Sequence, residues 1–153
     1  MIKILFVCHG NICRSPMAEY ILKDMAAGRG LSGMFQIESA AVSREEIGND
    51  IYPPAKRKLA EHSVPYDVHA ARQIVESDLK KYNKIIVMDR SNLRILKRMF
   101  GEKNTGNVVL LMRFAGIDRD VEDPWYTGDF EQAYRDIYTG CGALMTELTG
   151  IKE

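Results

Sequence analysis

The tightest constraint on this chain sits at its start, where Ile2-Lys3-Ile4-Leu5-Phe6-Val7 runs directly into Cys8-His9-Gly10-Asn11-Ile12-Cys13-Arg14-Ser15-Pro16. A short apolar run rich in β-branched and aromatic residues, ended by a turn-prone loop, predicts a buried strand. Ser15-Pro16 predicts a helix start, with a hydroxyl at N-cap and proline at N1. A strand apolar along its length belongs in a sheet covered on both faces, so the segment points to a parallel α/β architecture.

The remaining pattern agrees. Met17, Ile21, Leu22 and Met25 share one helical face, and Gly28-Arg29-Gly30 stops that helix. Phe35 to Glu38 alternates as a short strand, and Ser39 to Asp50 reads as loop. Pro54 to His62 is helical, with Ala55, Leu59 and His62 on one side, and Val75 to Lys80 reads as a short helix. Lys84 to Met88 is a buried strand, after which Asp89 or Ser91 caps a helix carrying Leu93, Leu96 and Phe100. Asn107 to Met112 is a further strand, and Asp120 to Asp129 a polar, turn-rich segment. Phe130, Ala133, Tyr134, Ile137, Tyr138, Cys141, Leu144, Met145 and Leu148 then repeat at helical spacing, with Asp129 and Gln132 as a capping pair. Strands alternating with helices predict one α/β domain over residues 1–153, without repeats or a second domain. In such folds ligands gather beyond the carboxyl ends of the strands, so Cys8, Asp89 and Asp123 should face one crevice.

Several classes are excluded. Twenty-one basic residues balance 21 acidic ones, so charge offers no nucleic-acid footprint. The short runs Lys56-Arg57-Lys58 and Lys80-Lys81 read as solvated helix faces. No apolar stretch is long enough for a membrane span, and Met1 to Val7 lacks a secretory n-region, so the expectation is a cytoplasmic protein. Three cysteines cannot all pair within one chain, which fits reduced thiols.

One of those thiols is placed for chemistry. A free cysteine has a pKa of roughly 8.5 and needs help to act as a thiolate at neutral pH. Backbone N–H groups from His9 to Arg14 can curl into an anion nest, and the following helix aims its positive end at the same point. Arg14 adds a permanent charge able to grip two oxyanion oxygens. Gly10 lets the backbone approach an anion closely, and Asn11 tolerates a left-handed conformation. The competing reading of Cys8 is a core residue, since free cysteine is often buried. That reading gives no reason for an arginine six residues on, beside a helix start. Cys8, His9 and Cys13 lack zinc-ligand spacing, no papain-like partner motif accompanies the thiol, and neither GxGxxG nor a Walker ending is present. Neither metal nor cofactor is implied, and Cys141 reads as core.

The string Val7-Cys8-x-Gly10-Asn11-x-Cys13-Arg14-Ser15-Pro16 closely resembles the low-molecular-weight protein tyrosine phosphatases. The resemblance continues through Ser39-Ala40-Ala41, His69, Arg72-x-Ile74 and Met88-Asp89-x-Ser91-Asn92-Leu93, and ends with Glu122-Asp123-Pro124-Trp125-Tyr126 and Asp129-Phe130. It implies a four-stranded parallel sheet flanked by helices on both sides, with the phosphate-binding loop after the first strand. It implies hydrolysis of protein phosphotyrosine through a cysteinyl-phosphate: Cys8 as nucleophile, Arg14 as phosphoryl binder and Asp123 as general acid. By the same resemblance His9, Gly10, Asn11, Ile12, Cys13, Ser15 and His69 shape or support the loop, and Asp89 supports the crevice. Cys13 matches a second loop cysteine that can form a disulfide with the nucleophile and shield it. Ile12, Trp125 and Tyr126 are the expected pocket walls.

Ile12 also bears on substrate, because the related protein-arginine phosphatases commonly carry threonine there. Two departures from the family pattern stand out. Arg44-Glu45-Glu46 brings charge to an entrance loop where many relatives have tryptophan, and Trp125 replaces a tyrosine. An arsenate reductase on this scaffold would need further cysteines, and none lies between Cys13 and Cys141. A non-catalytic phosphate-binding module would need neither the thiol nor the acid. Expected partners are tyrosine-phosphorylated proteins, a bacterial tyrosine kinase or a polysaccharide-production protein among them; oligomeric state stays open.

Overall fold

The computed structural model describes residues 1–150; the last three, which the expected domain includes, lie outside the described residues. Four parallel strands, β1 (Ile2–Cys8), β2 (Phe35–Ala41), β3 (Lys84–Val87) and β4 (Val108–Leu110), form a sheet in the order β2-β1-β3-β4. Cys8 pairs with Ala41 on one side of β1, and Val7 with Val87 on the other. The chain leaves β1 toward β2 and then crosses to β3, so the crevice of the topological switch opens beyond Cys8.

Ile4 to Val7 are fully buried because β1 is central and both faces are covered. Ile4, Phe6 and Cys8 join a core with α1 (Arg14–Gly28), α2 (Pro53–Glu61) and α6 (Phe130–Thr149). Leu5 and Val7 face the other side, with Leu79 of α3 (Asp78–Lys81) and Leu96 of α4 (Arg90–Phe100). A one-turn helix, α5 (Pro124–Thr127), completes the set. Among the described residues no helix is long and apolar enough to cross a membrane.

The elements differ from expectation in several places. Strand β2 runs on through Ser39-Ala40-Ala41, where small residues of weak strand preference pair with Phe6, Val7 and Cys8. Strand β4 stops at Leu110; Leu111–Ala115 turns into a 3₁₀ helix whose buried Leu111 and Met112 pack in the α6 core. The short helix α3 begins only at Asp78, whose carboxylate holds the Val75 N–H. Ser15 is not the N-cap of α1: Cys13 holds that position, and the Ser15 hydroxyl is drawn into the loop. Asp129 caps α6 through the Gln132 N–H as expected, but the Gln132 side chain bonds Asp136 instead of returning to the cap. The exposed Tyr138 departs from the apolar stripe, and His62 leaves the α2 face to stack on Tyr134 at 3.9 Å.

Candidate active site

The loop from His9 to Cys13 is turned so that most of its carbonyls are engaged by the surrounding chain. Cys8 O accepts from Val42 N, His9 O from Ser43 N, Ile12 O from Tyr52 N and Cys13 O from Met17 N. Asn11 O meets His69 Nε2 at 2.7 Å. With those carbonyls committed outside, N–H groups face in. Asn11 N and Ser15 N reach the Cys8 sulfur at 3.3 and 3.4 Å. Those of Gly10, Ile12, Cys13 and Arg14 have no protein acceptor among the described residues. This is an anion nest wrapped around a thiol.

Asn11 is the pin of that loop. Its φ of 61° is left-handed, which costs a residue other than glycine, and its side chain secures the strain. Oδ1 accepts from Arg72 N at 3.2 Å, and Nδ2 donates to Ser15 Oγ at 2.7 Å. That hydroxyl lies 3.1 Å from the Cys8 sulfur and reaches the Ala40 carbonyl at 3.4 Å. Gly10 serves the approach of a neighbouring loop: a β-carbon there would sit 3.3 Å from Glu46 Cγ.

Arg14, 2% exposed, is the first residue of α1. Its Nη1 donates to Asp89 Oδ2 and to the Val121 carbonyl, both at 2.7 Å, which uses both hydrogens of that nitrogen. Nη2 faces Asp123 Oδ2 at 3.4 Å. Burial alone would lower the Arg14 pKa, but Cys8, Asp89 and Asp123 outweigh it and hold the guanidinium above its usual value. Asp89 serves twice, since its Oδ1 also caps α4 through Asn92 N at 2.7 Å.

Asp123 caps α5 through Trp125 N at 3.0 Å, which turns its other oxygen toward Arg14. Cys8, Arg14 and Asp123 thus line one pocket of about 110 Å³, with Ile12, Cys13, Trp125 and Tyr126 among its walls. Ile12 is buried beside Ala71, whereas Trp125 and Tyr126 are exposed at the mouth. Cys13 is a free thiol, as is Cys8; burial pushes the Cys13 pKa up, and the charges of Cys8 and Asp123 push it further. His9 Nε2 meets Glu45 Oε2 at 3.0 Å on the rim.

Every expected site residue therefore gathers at this pocket or in the hydrogen bonds behind its loop. Sequence reasoning missed Tyr52, whose ring braces Trp125 at 4.8 Å, along with the Val121 carbonyl and the Arg72 N–H. Backbone donors and acceptors carry no residue signature, so no sequence signal marks the last two. Outside the pocket, Glu61, His62 and Glu131 bring ligand atoms within 4.8 Å of one another, but Lys58 Nζ already bridges the two glutamates at 2.9 and 3.2 Å.

A thiol held in an oxyanion-binding loop after the first strand of such a sheet, facing a buried arginine and a carboxylate, defines a class, the cysteine-dependent phosphatases. Residues 3–152 match the family model of the low molecular weight phosphotyrosine protein phosphatase. The chain is similar to the low molecular weight protein-tyrosine-phosphatase YfkJ of Bacillus subtilis, 41% identical over 155 aligned positions, covering 100% of this chain and 99% of that protein. The human low molecular weight phosphotyrosine protein phosphatase is 37% identical, with 93% of this chain and 92% of that protein covered. The crystal structure of YfkJ superposes with a TM-score of 0.95, covering 100% of this chain and 98% of that one. That of a Drosophila arginine phosphatase gives 0.88 at 31% identity, over 97% and 98% of the two chains. The chain belongs to the low molecular weight phosphotyrosine protein phosphatase family and is a protein-tyrosine phosphatase.

Proposed function

We propose that Cys8, Arg14 and Asp123 are the catalytic residues with which this enzyme hydrolyses protein phosphotyrosine. The observation that carries the assignment is the convergence of Asn11 N, Ser15 N and Ser15 Oγ on the Cys8 sulfur, in the pocket where Arg14 meets Asp123. The Cys8 sulfur attacks phosphorus in line and the P–O bond to the tyrosyl oxygen breaks, leaving a cysteinyl-phosphate. Arg14 keeps Nη1 on Asp89 and the Val121 carbonyl, so its Nε and Nη2 edge takes two equatorial oxygens while the inward N–H groups hold the charge. Asp123 gives its proton to the departing tyrosyl oxygen, then takes one from the water that cleaves the S–P bond.

The substrate is a tyrosine-phosphorylated protein of the cytoplasm, such as a bacterial tyrosine kinase or a protein of polysaccharide production. Ile12, Trp125 and Tyr126 supply the walls for its ring, with Tyr52 behind Trp125. A buried isoleucine at position 12 favours a tyrosyl over an arginyl phosphate.

The test compares phosphotyrosine and phosphoarginine hydrolysis and arsenate reduction by wild type and C8S. Metal-independent phosphotyrosine hydrolysis that C8S lacks is expected; activity retained in C8S rejects the mechanism. D123N should lose about 10²-fold on phosphotyrosine and much less on an aryl phosphate with a good leaving group. Equal losses remove Asp123 from the acid role. Cys8 and Cys13 are free thiols on one pocket, which supports reversible pairing under mild peroxide. Mass spectrometry should then find a Cys8–Cys13 disulfide, and finding only over-oxidised Cys8 rejects it.

A further inference from the structure

The acids at the pocket differ in whether an arginine meets them. Beyond Asp123, Arg90 pairs with Asp118 and with Asp120, and Arg119 holds Asp136 through two bonds of 2.6 and 2.8 Å. Glu45 and Glu46 both line the pocket. Glu46 is tied by the uncharged Asn49 Nδ2 at 2.6 Å and makes no ion pair among the described residues. The Glu45 carboxylate is two-thirds exposed, and its one partner among the described residues is a rim histidine, His9, at 3.0 Å. Among the acids that line the pocket, Asp123 faces Arg14, so the charge without a lysine or arginine partner sits on Glu45 and Glu46.

The segment that carries them is held in place. Ser43 N bonds the His9 carbonyl, Gly48 N bonds Ala71 O, and Gly10 leaves room for the Glu46 stem. Carboxylates at the rim of a pocket that takes a phosphate dianion work against the ligand through repulsion. They help only when the substrate brings its own cation to the rim.

We infer that Glu45 and Glu46 are specificity residues, selecting phosphotyrosine that has lysine or arginine among its neighbouring residues. The inference rests on the phosphotyrosine reading of the pocket and names the peptide class that the pocket prefers. The bound segment lays its cationic side chain over residues 45–46.

The experiment measures kcat/KM for phosphotyrosine peptides identical except for lysine, alanine or glutamate beside the phosphorylated residue. It uses wild type, E45Q/E46Q and E45K/E46K, and takes the ratio within each protein so that a general loss cancels. Exposed charge pairs predict a lysine-to-alanine ratio of about fivefold at low salt in wild type. The ratio should fall toward one in 0.5 M sodium chloride, by about the screening of an exposed pair, and in E45Q/E46Q. In E45K/E46K the preference should pass to the glutamate peptide. A wild-type ratio near one, or one unchanged in E45Q/E46Q, overturns the inference. Hydrolysis of the alanine peptide by wild type but not by C8S tests the underlying reading separately. Its absence overturns both.

Discussion

Asn11 does three things at once. It accepts the left-handed backbone, it receives the Arg72 N–H, and it fixes the Ser15 hydroxyl beside the Cys8 sulfur. N11A keeps the strain, loses both side-chain bonds and leaves a buried donor unpaired. It should cost about 2–3 kcal/mol of stability and a larger share of kcat than of KM. N11G relieves the backbone without restoring the bonds, so it should recover stability but not rate. Thermal unfolding together with steady-state kinetics separates the two. Full activity in N11A would remove the residue from the loop's support. Arg14 is equally specific, because a lysine could not hold Asp89, the Val121 carbonyl and two phosphoryl oxygens together.

At the scale of elements, the site depends on how α1 is seated. Its first residues carry Arg14 and Ser15, so any shift of the helix moves the chemistry. Helix α6 packs against α1 in the core and against the 3₁₀ turn that follows β4. Gly140 permits the second contact, since a β-carbon there would meet Leu111 Cγ at 2.5 Å, with two further Leu111 atoms near 3 Å. Alanine would gain helix propensity of about 1 kcal/mol, but the clash with a fully buried leucine outweighs it. G140A should therefore lose about 1–3 kcal/mol, and the double variant G140A/L111A should lose less than the sum of the two single losses. A chemical-denaturation midpoint for G140A at or above wild type would show that the leucine yields freely.

For the molecule as a whole, burial of weak acids sets the alkaline limit. Burial pushes the Cys13 and Cys141 thiols up, and burial followed by Tyr138 and other nearby charges pushes Tyr134 up to about 12. A group held protonated in the fold contributes stability that is complete below its unfolded pKa. Above it the unfolded chain loses protons that the native chain keeps, and the contribution declines. Stability should thus be flat to about pH 8.5, then fall by up to about 1.4 kcal/mol per pH unit for each thiol, with Tyr134 adding its part between pH 10 and 12. Denaturant titrations from pH 7 to 10 should show this slope, shallower by one group in C141A. Equal slopes in the two proteins would reject the assignment to Cys141.

Much of this protein was legible from its residues. The buried first strand, the covered parallel sheet and the gathering of Cys8, Arg14, Asp89 and Asp123 follow from apolar periodicity and from where each residue stands relative to a strand end. The misread segments share one cause. Ser39 to Ala41 lack a strand signature, and strand pairing with Phe6, Val7 and Cys8 places them in β2. Ser15 has the signature of a cap, yet the Cys8 sulfur and Asn11 claim its hydroxyl. Residues 111 and 112 continue an apolar run, yet packing with α6 turns them out of the sheet. Local sequence determines which groups a segment offers, because propensity and periodicity act within a few residues. Which partner takes each group is decided by tertiary structure, because the competing hydrogen bonds and contacts come from residues dozens of positions away.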